Sequence, residues 1–170
     1  MRVDINSYEK HFLFIKGEIE KAFQKIPLNK TPNYLYDPIQ FVLNGKGKRL
    51  RPILVHLVGQ AYSANPADLM KVGIAVELLH NFTLVHDDIM DGDDTRQGQK
   101  SVHNKWDNST AILSGDALFV LAQLSLKGLS ETIHQRFNEV ALTICEGQGM
   151  DKEFENNSSI SMGKYLIMIG

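Results

Sequence analysis

One cysteine, Cys145, and one tryptophan, Trp106, are all that this 170-residue chain has of either type. A lone cysteine excludes a disulfide framework and suits a reducing compartment. The opening MRVDINSYEK lacks the apolar core of a secretory leader, so the expectation is a cytoplasmic protein. Charge of one sign is missing too: 18 basic residues against 20 acidic leave a formal net charge of −2. No global field therefore gathers nucleic acid or an anionic membrane surface, and any anion recognition has to be local. Nor does any stretch approach the ~20 uninterrupted apolar residues of a membrane span. Even 112–129 carries Asp116, Gln123 and Lys127. With 43 % hydrophobic residues there is still ample material for a core, which excludes a disordered chain.

Strand signals are scarce. β-Branched residues occur singly inside helical spacing, and Asn44-Gly45 and Asp91-Gly92 each follow a predicted helix instead of joining alternating runs. The expected class is all-α, without strands. Phe12, Ile15, Ile19, Phe23 and Ile26 space an amphipathic helix over 7–26. Pro38, Pro52 and Pro66 read as helix starts, each at a first helical position, with Asp37 and Asn65 as N-caps. Helices are predicted over 37–43, 52–62, 66–91, 109–127 and 130–154, with another starting at Ser161 and a polar loop over 92–108 anchored by Trp106. Cys145 lies in an apolar helical pattern and is expected in the core, and Gly115-Asp116 within a helix predicts close helix packing. The last segment, SMGKYLIMIG, builds an apolar face that includes Leu166 and Ile169, both expected to be exposed. The expectation is that 1–170 is the N-terminal portion of a single larger all-α domain, truncated after Gly170.

Five of the eleven aspartates fall within 87–94: Asp87, Asp88, Asp91, Asp93 and Asp94. Asp87 and Asp91 are four apart, so both carboxylates leave one helix face, with Asp88 about 100° to the side. Like charges repel at that spacing, and the C-terminal end of a helix is already negative. Two local rules are broken together, as happens at functional sites, and the simplest compensation is a hard divalent cation, magnesium, shared with phosphate oxygens. Asp93 and Asp94 alone read as a solvated acidic loop. His80 and Glu77 precede Asp87 by two and three turns on the same face.

Lys46, Lys48, Arg49 and Arg51, interrupted by Gly45 and Gly47, stand just before a helix start. Alone such a cluster is either a solvated loop or a phosphate cradle. Beside the aspartates and Arg96 it suggests two phosphate subsites, one gripped by side chains and one by metal, which suits diphosphate chemistry.

The strings GKGKRLRP (45–52), ELLHNFTLVHDDIMDGDDTRQG (77–98), ILSGDAL (112–118) and EGQGMD (146–151) resemble the trans-isoprenyl diphosphate synthases, or polyprenyl synthetases. The resemblance implies an antiparallel helix bundle of the isoprenoid-synthase type, of which this chain holds about the first half. It implies a prenyltransferase condensing isopentenyl diphosphate with an allylic diphosphate to give a C15 or C20 prenyl diphosphate, with Mg2+ as cofactor. Asp87 and Asp91 match the magnesium ligands, with Asp88 in support. Lys48, Arg51 and His80 match the isopentenyl diphosphate contacts, and Arg96 matches an arginine facing the allylic diphosphate. Gln148 and Asp151 match a Gln-x-x-Asp element lining the same cavity. The resemblance also implies a homodimer built on the segments 109–127 and 130–154.

Two departures from that pattern stand out. Gln97 replaces a second arginine, removing a charge from the isopentenyl diphosphate subsite. A lysine-threonine element and a second aspartate-rich motif of the family are expected beyond Gly170, so the 170-residue chain alone is expected to be inactive. The alternative is a non-catalytic, diphosphate-binding or regulatory subunit that pairs with a full-length partner. A metal phosphohydrolase is disfavoured because His80 and His86 lie on opposite faces of one helix; His86 reads as a packing residue. For the floor that limits product length, periodicity alone selects Thr83, four before Asp87, whereas the resemblance selects Phe82, five before it.

Overall fold

The computed structural model describes residues 5–29, 31–45, 47–155 and 160–168, so Lys46 and Ile169 lie outside the described residues. Eight α-helices and one two-stranded hairpin occur among them: α1 (Ile5–Gln24), α2 (Asn33–Leu43), α3 (Leu50–Ala61), α4 (Pro66–Asp91), β1 (Thr95–Arg96), β2 (Gln99–Lys100), α5 (Val102–Lys105), α6 (Asn108–Ser125), α7 (Glu131–Phe154) and α8 (Met162–Met168). The chain divides into two compact units, 1–127 and 128–170. No helix of the described residues is long and apolar enough to cross a membrane.

In the first unit α4 is the central element, packed on α6 and α3, while α1 lies against α3 and α4, and α2 against α6. Its start follows the sequence: Pro66 takes the first position, and the Asn65 side chain accepts the N–H of Ala67 at 2.9 Å. Its end is fixed by Gly92, whose φ of 69° needs no Cβ, and the N–H groups of Gly92 and Asp93 both return to the Asp88 carbonyl. Ala75, Leu78, Leu79 and Val85 of α4 meet a core completed by Ile19, Ile39, Ile53, Leu118 and Ala122. Each fully buried leucine or isoleucine contributes roughly 1.5–3 kcal/mol by leaving water.

The buried residues of α6 are mostly small: Thr110, Ala111, Ser114, Gly115 and Ala122 around Leu118. A Cβ on Gly115 would lie 2.4 Å from His86 Nε2, so the glycine lets α4 and α6 approach with the imidazole between them. His86 is therefore packed: its ring stacks edge-on to Phe82 and its Nε2 faces the Ile112 carbonyl at 3.3 Å. Trp106 anchors its segment as expected, edge-on to Phe41 at 5.3 Å, with the Lys105 ammonium 3.7 Å from the Phe41 ring centre.

Four expectations are corrected. Pro38 does not start α2. The helix begins at Asn33 after Pro32, and Pro38 sits inside it without an N–H for the Tyr34 carbonyl, tolerated because its ring and Ile39 are buried. Pro52 is the third residue of α3, still among the four N–H positions a helix leaves unpaired. The loop over 92–108 contains a hairpin after all: Thr95 pairs with Lys100 and Arg96 with Gln99. Its turn, Gln97-Gly98, has φ of 52° and 79°, the pattern of a I′ turn, which glutamine signals far less clearly than asparagine. Cys145 is exposed, because α7 buries only Phe137 and Ala141 among its described residues and leaves Val140, Leu142 and Ile144 in solvent. Leu166 of α8 is exposed, as expected.

Candidate diphosphate and metal site

The C-terminal turns of α4 carry three aspartates in three environments. Asp88 is buried and receives the Arg96 Nε–H on its Oδ1. Burial pushes its carboxyl up from the usual range, and the Arg96 hydrogen bond and charge oppose that shift. Asp87 is half-buried, and its carboxyl is also raised, first by burial and then by the like charge of Asp91, which is exposed. Arg96 moderates Asp87 only as a nearby charge, because its guanidinium is engaged with Asp88 and, at 3.4 Å, with Asp93. Two carboxylates are thus left close on one helix face at a negative helix end.

That donor set fits a hard cation that takes one or two carboxylates and completes its shell with water and phosphate oxygens. It does not make an all-protein cage, and among the described residues no group of three or more His, Cys, Asp and Glu side chains is placed to hold a metal.

The basic cluster splits. Arg49, left-handed at φ 54°, turns inward: Nη1 donates to Glu77 at 3.0 Å and Nη2 to the Leu43 carbonyl at 2.8 Å, while the guanidinium lies over Phe23. The two side chains are 4 % and 5 % exposed, so this is a buried ion pair tying α1, the 44–49 loop and α4 together. Neither Arg49's inward turn nor this use of Glu77 was anticipated. The available signal was a glutamate one turn before His80 on a mostly apolar helix, with no cation in reach along α4.

Lys48 and Arg51 stay exposed and line, with Gly47, His80 and Gln97, a cleft of about 360 Å³. Among the described residues neither cation has a carboxylate partner. Burial and then the charges of Arg51, Arg96 and Arg49 push the His80 imidazole down to about 4, so it is neutral at pH 7. The cleft can therefore offer an ammonium, a guanidinium, an uncharged imidazole and the Gln97 amide to one anion. Helix α4 carries both His80 and the aspartates, which places the cleft two turns from Asp87.

The two candidate floor residues differ in contact. Phe82 is half-buried with its ring centre 4.6 Å from that of His86 and 5.4 Å from that of Phe119 on α6. Thr83 donates its hydroxyl to the His80 carbonyl at 2.9 Å, within its own helix. In the second unit, Gln148 is half-buried on α7, and Asp151 is exposed at a cavity shared with Phe154 and α8 residues such as Tyr165.

Comparison with known proteins identifies the family. The polyprenyl synthetase family profile matches residues 32–170. The geranylgeranyl diphosphate synthase of Methanosarcina mazei is 38 % identical over 159 residues, covering 90 % of this chain and 49 % of that protein. That of Sulfolobus acidocaldarius is 41 % identical over 170 residues, covering 95 % and 51 %. The solved geranylgeranyl pyrophosphate synthetase of the archaeon Geoglobus acetivorans superposes with a TM-score of 0.87 at 35 % identity, over 93 % of this chain and 54 % of that one. This chain spans about half the length of the curated relatives it matches. The chain belongs to the polyprenyl synthetase family.

Proposed function

We propose that this chain carries the diphosphate-binding half of a short-chain prenyltransferase, which joins isopentenyl diphosphate to an allylic diphosphate. The observation that carries the reading is the pairing on α4: the like-charged carboxylates of Asp87 and Asp91 one turn apart at its C-terminal end, and a cleft two turns away that presents Lys48, Arg51 and neutral His80. Family membership and relatives named geranylgeranyl diphosphate synthase support the same reaction class.

Asp87 and Asp91 would hold magnesium together with the allylic diphosphate. Magnesium bound there would neutralise the departing diphosphate as a Lewis acid. Arg96, held by Asp88, presents its guanidinium to the same leaving group. Lys48 contributes a point charge and Arg51 a two-pronged donor to isopentenyl diphosphate, and His80, being neutral, donates or accepts one hydrogen bond without adding charge. Holding the second substrate in this cleft places its double bond to attack the allylic carbon as the C–O bond breaks. Loss of a proton from the adjacent carbon then leaves a chain five carbons longer. Gln97 gives this subsite one cation fewer than the family's usual arginine would. Phe82, braced by Phe119 and His86, is the proposed stop for the growing chain, with a C15 or C20 product.

A second copy of the chain would cover the apolar residues Ile112, Leu113, Val120 and Leu124 that α6 leaves exposed. The cytosol is the proposed setting, and Mg2+ the proposed cofactor. The decisive assay measures incorporation of labelled isopentenyl diphosphate into prenyl diphosphates by this chain, with and without the complementary C-terminal half of a relative added. The expected result is metal-dependent diphosphate binding by the chain, with turnover only in the presence of the complementary half. Binding without any dependence on Asp87 or Asp91 would overturn the reading.

A further inference from the structure

A smaller cavity, about 70 Å³, lies between α2, α4 and the hairpin, and no step above uses it. Asn81, Val85, Asp88, Arg96 and Ser101 help line it. Ser101 is 2 % exposed, and its hydroxyl oxygen finds no hydrogen-bond partner in the protein. Its backbone N–H donates to the Asp94 carbonyl at 3.0 Å, which pins the residue, and Asn104 Nδ2 donates to the same carbonyl. Buried hydroxyls are almost always satisfied, by protein or by ordered water. A buried water needs roughly 10–15 Å³ and two or more polar partners, so this cavity has room and chemistry for more than one. His103 Nδ1 is a second buried atom without a partner, on the same segment and within electrostatic reach of Asp88.

We propose that the cavity takes ordered water that joins Ser101 Oγ to the Asp88 carboxylate, and that Ser101 is thereby a positioning residue for Arg96. The guanidinium holds Asp88 at Oδ1. Water that donates to Oδ2 and is itself held by the Ser101 hydroxyl sets the rotation of the carboxylate and with it the direction in which Arg96 points. Side chains alternate along the hairpin, so Gln99, opposite Arg96, and Ser101 two residues later fall on the Arg96 side. The consequence for substrate rests on the proposed contact between Arg96 and the allylic diphosphate; the positioning itself does not.

The test follows solvent exchange of the Arg96 Nε–H by NMR in the 170-residue chain. Ser101→Ala is expected to speed exchange about tenfold, the equivalent of one net hydrogen bond. Ser101→Thr, which keeps the hydroxyl, should leave it unchanged, and Ile53→Val marks what a general loss of stability does. A high-resolution crystal structure should show water within hydrogen-bond distance of Ser101 Oγ. Exchange in Ser101→Ala equal to that of the unaltered chain or of Ile53→Val would overturn the proposal, as would a Ser101 hydroxyl without bound water. Titration with magnesium and inorganic pyrophosphate separates the two readings. No binding by the unaltered chain alongside the tenfold exchange effect sinks the functional reading and supports the positioning, whereas intact binding with unchanged exchange does the reverse.

Discussion

Helix α4 carries charge in two places and treats it in opposite ways. At Glu77 the carboxylate is buried, faces Arg49 at 3.0 Å, and the arginine is further satisfied by the Leu43 carbonyl. Three turns later, Asp87 and Asp91 set like charges side by side on one helix face, at the end where the helix dipole disfavours them. The contrast teaches which charges serve the fold. A carboxylate locked into a buried ion pair is structural, and like charges set side by side at a helix end are suited to a ligand that brings a cation. The same division separates Arg49 from Arg51, two residues apart: one closes an internal ion pair, the other lines the cleft.

The largest effect that can break this comparison comes from the closed pair. Glu77→Ala removes the nearer carboxylate of buried Arg49 and leaves it only Glu20, at 3.7 Å from its Nε, which should cost about 3 kcal/mol of stability, read by urea denaturation. If Glu77 instead served a ligand, stability would hold and only binding would fall. Next in size is the packing that supports the open end. Gly115→Ala forces a methyl group against His86 and should cost about 1–3 kcal/mol, read as a lowered Tm. An unchanged Tm would mean that the α4–α6 spacing is not set there.

The open end should respond in the opposite direction. Asp87→Asn removes one of two repelling charges and should raise stability in the absence of ligand by about 0.3–1 kcal/mol. The sign with pH follows. Because the Asp87 carboxyl is raised in the folded chain, the folded state holds its proton longer than the unfolded one, and this group lowers stability as pH rises above the ordinary aspartate range. His80 works the other way. With its folded value near 4 against 6.5 unfolded, the unfolded chain takes up a proton first, so stability falls as pH drops from about 6.5 to about 4. His80→Gln should flatten that slope, which a series of melts from pH 7 to 4 would measure.

Much of this division was legible in the sequence. The spacing of Asp87 and Asp91, their place at a helix end and the cap formed by Asn65 and Pro66 are local properties, and the structure keeps them. What was not legible depends on contacts far apart in the chain. Nothing near Arg49 announces that it would meet Glu77, 28 residues on, while Lys48 and Arg51 would not. The hairpin was missed because its turn rests on Gln97 at positive φ, a conformation that local propensity disfavours and tertiary contact imposes. Cys145 was assigned to the core from periodicity, which marks a face that can be buried without saying that anything covers it.

The central claim is that Asp87 and Asp91 bind a cation that arrives with diphosphate. Calorimetric titration of the chain with inorganic pyrophosphate, with and without Mg2+, tests it directly. The account predicts binding that requires the metal and that is lost in both Asp87→Asn and Asp91→Asn while both variants remain folded. Pyrophosphate binding of equal strength without Mg2+, or retained in the two variants, would contradict it.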